Sequence, residues 1–187
     1  MTDAYSERFD QALLLAASSF RKIHRKGRGA PYITHLLAVT SLVGEHGGDE
    51  DQLIAALLHD YIEDIEGGTA ADLRARFGDR VSRLVVALSD CQGHPKPPWK
   101  ERKLHYVAEL ANEPAEVKLI SCADKLHNCR TILVDHTLMG EDLFELFAGK
   151  KSGTLWYYRA VFEALSTGWS SPILGLLQSH VEALEQL

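Results

Sequence analysis

The segment Leu53–Asp64, LIAALLHDYIED, constrains the fold more than any other. It is apolar on nearly every face until His59, whereas a surface helix keeps its apolar residues to one stripe. The pattern predicts a central, buried helix. Asp49-Glu50-Asp51 would open it with charges suited to the helix dipole, and Gly67-Gly68 would end it. A buried helix needs others around it. Phe9, Leu13, Ala16 and Phe20 fall on one stripe of a helix from about Asp3 to about His24. Leu36 to Val43 form a second helix, after the basic, glycine-rich stretch from Arg25 to Pro31 and before Gly47-Gly48. Thr69, with Asp72 three residues on, starts a short helix that ends at Phe77-Gly78. Val81, Leu84, Val85 and Leu88 mark the next one.

The stretch 91–100, CQGHPKPPWK, holds three of the six prolines and reads as an irregular loop. A helix follows through Leu104, Val107 and Leu110. Pro114 suits the first turn of a longer helix that runs to about Leu133. Further helices are expected near 141–148, 154–167 and 172–186. No segment alternates like a strand. The expectation is an all-α, single-domain bundle of about eight to ten helices over 1–187. Its core would lie in about 5–135, with C-terminal helices in about 136–187.

Composition narrows the functional classes. Twenty basic residues against 26 acidic ones leave a net charge of −6, which argues against a nucleic-acid partner. Three cysteines without a CxxC point to a reducing compartment. The N-terminus reads as an amphipathic helix with no signal peptide. No apolar run reaches the roughly 18 residues that a membrane span requires. A cytoplasmic protein with no membrane partner is expected.

The chemistry gathers around His59-Asp60, at the end of the buried helix. An unpaired buried carboxylate is costly, and a metal cation is one answer to it. In a continuous helix the i,i+4 spacing sets Glu63 on the face of His59 and Asp64 on the face of Asp60. Like charges that close repel unless a cation or protons intervene. A solvated helix end accounts for the same residues, and spacing does not choose between the two. His35 stands alone among apolar residues, where an ordinary core histidine is the plain reading. Asp124 lies in the mostly apolar LISCADKLHN, with Asn128 one turn on and His127 beside the same face. Together, two histidines and two aspartates would make a mixed nitrogen and oxygen site suited to Mn²⁺, Fe²⁺ or Zn²⁺. Such an ion keeps positions for water and a substrate oxygen.

The order His35, His59-Asp60, Asp124 resembles the H…HD…D pattern of the HD superfamily of metal-dependent phosphohydrolases. Arg25-Lys26, PYITHLLAV, AALLHDYIEDIEGGT, FGDRV, ERK and ADKLHNCRT, spread over about 5–135, resemble the hydrolase domain of the RelA/SpoT alarmone enzymes. In size the chain is similar to their stand-alone relatives, the small alarmone hydrolases. The resemblance implies a Mn²⁺-dependent enzyme, other divalent ions being alternatives. It would hydrolyse (p)ppGpp to GDP or GTP and pyrophosphate. His35, His59, Asp60 and Asp124 would bind the metal. Glu63 and Asp64 would position and activate the attacking water. Arg25 and Lys26 would lie at the purine end, and Asn128 would contact the nucleoside.

Lys100, Arg102 and Lys103, in or beside the ERK motif, are the expected phosphate contacts, ahead of Lys96. Phe20 departs from the family, which often has a histidine there. Trp156, Tyr157 and Tyr158 would cover the nucleotide or simply be core. A different nucleotide, such as NADPH at its 2′-phosphate or a nucleoside phosphate, is the alternative substrate. A non-catalytic nucleotide-binding module is a third reading, against which all six metal and water-activating positions stand intact. Too few residues follow 135 for a synthetase domain. The partner expected is a small-molecule nucleotide, with the oligomeric state left open.

Overall fold

Residues Ile54 to Leu58 are fully buried, and the rest of the molecule is arranged around them. The computed structural model describes residues 5–91 and 95–187. Among these, the helices are α1 (Glu7–Ser19), α2 (Ile33–Glu45), α3 (Glu50–Leu58), α4 (Tyr61–Asp64), α5 (Ala70–Phe77) and α6 (Asp79–Leu88). They are followed by α7 (Trp99–Leu110), α8 (Ala115–Met139), a 3₁₀ helix (Gly140–Leu146), α9 (Lys150–Ser166) and α10 (Pro172–Leu184). The fold is all-α, with ten α-helices among the described residues.

α3 is the central helix that its composition predicts. Asp49 caps it reciprocally: its side chain accepts from the Gln52 N–H at 3.1 Å, and Gln52 Oε1 accepts from the Asp49 N–H at 3.0 Å. Gln52 also donates to the Glu116 carbonyl at 3.2 Å, which ties the start of α3 to the start of α8. α1, α2, α6 and α8 pack around α3, and α9 and α10 pack on α8.

Five expectations about local structure are corrected. The central helix is not continuous to Asp64: it stops at Leu58 and resumes as the one-turn α4. His59 Nδ1 donates to the Ala56 carbonyl at 2.8 Å, the group that an unbroken helix offers to the Asp60 N–H. The first helix ends at Ser19 and not near His24, and its expected start at Asp3 lies outside the described residues. Beyond it the chain reverses through Gly27 (φ 81°) and Gly29 (φ 72°), which lets Pro31 pair with His24 in an isolated antiparallel bridge. α8 continues past Leu133 to Met139, and the segment expected as a helix near 141–148 is 3₁₀. α9 begins at Lys150, four residues ahead of the expected Thr154. The loop expected over 91–100 includes residues 92–94, outside the described set, and ends where α7 starts at Trp99.

The turn after α4 fixes where its acidic residues stand. A Cβ on Gly68 would overlap the Tyr61 carbonyl oxygen, so only glycine lets the chain pass behind α4. Gly68→Ala is therefore expected to lower unfolding stability by about 1–3 kcal/mol through forced backbone movement. Urea denaturation at unchanged m-value measures it. A variant as stable as the parent would show that the turn is not so confined.

Candidate active site

Three elements bring together a cluster of polar residues at one side of a cavity of about 540 Å³. α2 supplies His35. The junction of α3 and α4 supplies His59 and Asp60, with Glu63 and Asp64 on α4. α8 supplies Asp124, Lys125, His127 and Asn128. His35 Nε2 lies 3.3 Å from His59 Nε2, 3.2 Å from Asp124 Oδ1 and 3.9 Å from Asp60 Oδ2. His59 Nε2 lies 3.0 Å from Asp60 Oδ2 and 3.8 Å from Asp124 Oδ1. One donor atom from each of His35, His59 and Asp124 falls within 4.8 Å of the other two.

This donor set fits a divalent cation. His59 directs its Nδ1 proton at a carbonyl, so Nε2 of the neutral ring presents a lone pair to the cluster. His35 engages His127 through its Nδ1 at 2.8 Å, which likewise leaves Nε2 for the cluster. Two imidazole nitrogens and the Asp124 carboxylate thus face one point, with Asp60 Oδ2 beside it, 3.0 Å from His59 Nε2. The electrostatics agree. Burial pushes His35 down to about 4. Burial would lower His59 too, but Asp60 and Asp124 outweigh it and raise that ring to about 9. Burial would raise both aspartates, yet His59 holds the Asp60 carboxyl below its usual range and Lys125 does the same for Asp124. The cluster demands positive charge, and a metal supplies it without a proton.

Neighbouring donors also hold both aspartates of the cluster. Tyr32 OH donates to Asp60 Oδ2 at 2.7 Å. Lys125 Nζ donates to Asp124 Oδ2, and Asn128 Nδ2 donates to Asp124 Oδ1 at 2.5 Å. Asn128 Oδ1 in turn accepts from Arg25 Nη2 at 2.6 Å, and Thr131 Oγ1 accepts from the same nitrogen at 3.2 Å. The guanidinium lies over the Tyr32 ring, 5.8 Å from its centroid. Lys26 reaches over Phe147 at the same end of the cavity.

Glu63 and Asp64 belong to the separate α4, yet the Asp64 N–H donates to the Asp60 carbonyl at 2.9 Å, so one helical turn still joins 60 to 64. Glu63 accepts from the Asp90 N–H at 2.7 Å, and Asp64 lies 3.6 Å from Lys96 Nζ. Burial, together with Asp60 and Asp90, pushes the Glu63 carboxyl up to about 7. Burial and Asp60 raise Asp64 as well.

Among the expected phosphate contacts the structure separates Lys103 from the other two. α7 turns Trp99, Lys103 and Tyr106 toward the cavity at helical spacing. Lys100 and Arg102 do not line it. Lys100 lies over the Trp156 ring, and Arg102 binds Asp90 Oδ1 and the Pro97 carbonyl. Lys103 donates to Asp90 Oδ2 at 2.6 Å and lies over Tyr157. Tyr157 and Tyr158 line the cavity, while Trp156 does not.

Sequence reasoning passed over Tyr32, Asp90, Lys125 and Thr131. Lys125 was within reach of the rule applied to Asp124, because a lysine in an apolar helix also needs a partner. Asp90 had no such signal: only the tertiary fold brings it to Glu63 and Lys103.

A family model described as HD domain matches residues 12–152. A GTP pyrophosphokinase of Streptomyces coelicolor is 40% identical over 120 residues, which is 62% of this chain and 14% of that protein. The chain thus spans about a seventh of the length of such relatives. The mouse (Mus musculus) protein named guanosine-3′,5′-bis(diphosphate) 3′-pyrophosphohydrolase MESH1 is 35% identical over 125 residues, 65% of this chain and 68% of that one. A solved structure described as a metazoan ortholog of SpoT that hydrolyses ppGpp superposes with a TM-score of 0.80 at 27% identity. The match covers 97% of this chain and 98% of the other.

The donor cluster makes a direct prediction. A divalent transition-metal ion at a hundred times its Kd should raise the melting temperature by about 5–10 °C. His59→Ala, compared with its own metal-free form, should show no such shift. An equal shift in both proteins would place the ion elsewhere.

Proposed function

The chain belongs to the HD-domain family, and from that premise we propose that it is a (p)ppGpp 3′-pyrophosphohydrolase. It converts guanosine 3′,5′-bis(diphosphate), or the 5′-triphosphate form, to GDP or GTP and pyrophosphate. The observation that carries this reading is a single cavity with the metal cluster and Glu63 at one end and a tethered guanidinium, Arg25, at the other. The name of the mouse relative and the description of the solved structure support the same chemistry.

His35, His59, Asp60 and Asp124 would hold Mn²⁺, which when bound lowers the pKa of water and neutralises phosphoryl oxygens. Glu63, buried and raised to about 7, takes the proton of the attacking water. Asp64 orients that water. Attack at the phosphorus joined to O3′ breaks the O3′–P bond, O3′ gains a proton, and pyrophosphate leaves. Lys103 and Lys125, both lining the cavity, offset the charge of the diphosphate. Arg25, held flat by Asn128 and Thr131, gives the purine a planar face to stack on, and Lys26 closes that end. The partner is therefore a small nucleotide. Cytoplasmic residence belongs to the same proposal. Cys122 and Cys129 are buried free thiols, and no described helix is long and apolar enough to cross a membrane.

The test is pyrophosphate release from ppGpp with added Mn²⁺, beside NADPH and simple nucleotides. Turnover of ppGpp should dominate, and Glu63→Gln should reduce it by about 10²–10⁴-fold. Because the carboxylate form is the active one, kcat/KM should rise with pH along an acid limb centred at or below about pH 7. Bound metal moves that limb downward. Preferential release of phosphate from NADPH would replace the substrate, and metal binding without any turnover would replace the enzyme by a binding module.

A further inference from the structure

Asp135 stands eleven residues beyond Asp124 on α8, about 16 Å along the helix at 1.5 Å per residue. It lines the end of the cavity away from the metal cluster, together with Arg25, Thr131, Ile132 and Phe147. The groups at that end are flat or apolar, apart from the cations Arg25 and Lys26. Asp135 Oδ1 accepts from Arg28 Nε at 2.7 Å. Oδ2 makes no hydrogen bond or ion pair among the described residues. Its side chain is 13% exposed. A Cβ on Gly27 would overlap Oδ2, so the reversing loop presses its backbone against the carboxylate and leaves it little room to turn. The result is a fixed carboxylate with acceptor capacity to spare, in a cavity suited to a polyanion.

A carboxylate repels phosphate and accepts only from donors. Its counterpart in a bound nucleotide must therefore be a donor edge. Guanine carries two adjacent donors, N1–H and the 2-amino group. Adenine puts a bare nitrogen in the corresponding place and turns a lone pair toward the carboxylate. We propose that Asp135 selects guanine over adenine by accepting hydrogen bonds from N1–H and the 2-amino group of a base stacked at Arg25. This rests on the reading above that a purine nucleotide lies with its base at Arg25.

Arg28 separates base reading from a purely structural role, since Arg28→Ala removes the tether and leaves the carboxylate. Dissociation constants for guanosine and adenosine 3′,5′-bisphosphate, measured by calorimetry on the full chain, test the proposal without turnover. The parent should favour guanosine by about 10- to 100-fold. Asp135→Asn should bring the two within about three-fold, because an amide both donates and accepts. Arg28→Ala should retain most of the preference. No guanosine preference in the parent would overturn the proposal. So would a preference that survives Asp135→Asn, or one that Arg28→Ala abolishes equally. Pyrophosphate release from ppGpp, run on the same parent sample, reports the catalytic reading separately. Guanosine selectivity without turnover would sink that reading and leave the role of Asp135 standing.

Discussion

Asp124 is buried in the middle of the longest helix, and its charge has to be answered from inside the protein. The molecule answers it twice. Lys125 takes Oδ2, while Oδ1 meets Asn128 and His35. Asn128 passes the constraint on to Arg25, and Arg25 to Thr131. One buried carboxylate thus organises a line of polar groups from the His–Asp cluster to the far end of the cavity, along a single face of α8. Removing any member would leave a buried donor or acceptor unmatched, at about 1–3 kcal/mol for each such group. The site is rigid for the same reason that it is expensive to bury.

Much of this was legible in the amino-acid order, and the rule that made it so was desolvation. Apolar surroundings flag His59-Asp60 and Asp124 as residues in need of partners. The same rule reaches Lys125, once a buried cation is treated like a buried anion. Helical periodicity takes Lys100 off the face of Trp99 and Tyr106, but Arg102 and Lys103 flank that face equally, and only the tertiary fold turns Lys103 to the cavity. What periodicity misses is competition for backbone groups. Nothing in the hydrophobic pattern of LIAALLHDYIED shows that a histidine side chain will occupy the Ala56 carbonyl and break the helix. Nor does any local pattern join Asp90, at the end of α6, to Glu63 and Lys103.

Whole-chain charge was a poor guide to the ligand. A net −6 hides a local concentration of cations: the cavity collects Arg25, Lys26, Lys103 and Lys125 on its walls. The acidic residues closest to them are engaged. Asp124 neutralises Lys125, and Asp90 holds Lys103 while its N–H serves Glu63. Asp90 therefore sets the spacing between Lys103 and Glu63, the cation and the carboxylate proposed above to meet phosphate and water.

The Trp99 ring lies where Cβ atoms on Gly149 and Gly153 would crowd it. α9 accepts two glycines in and before its first turns, at a cost in intrinsic helix stability of up to about 1 kcal/mol for one inside the helix. In return the indole seats against bare backbone. Positions 99, 149 and 153 are consequently not free to drift alone. A lineage that shrinks the aromatic at 99 opens room for alanine at 149 or 153, and one that keeps tryptophan needs glycine at 149 and little more than glycine at 153. Across related chains these three positions should change as a set, an imprint of cavity shape on sequence divergence that no single chain displays.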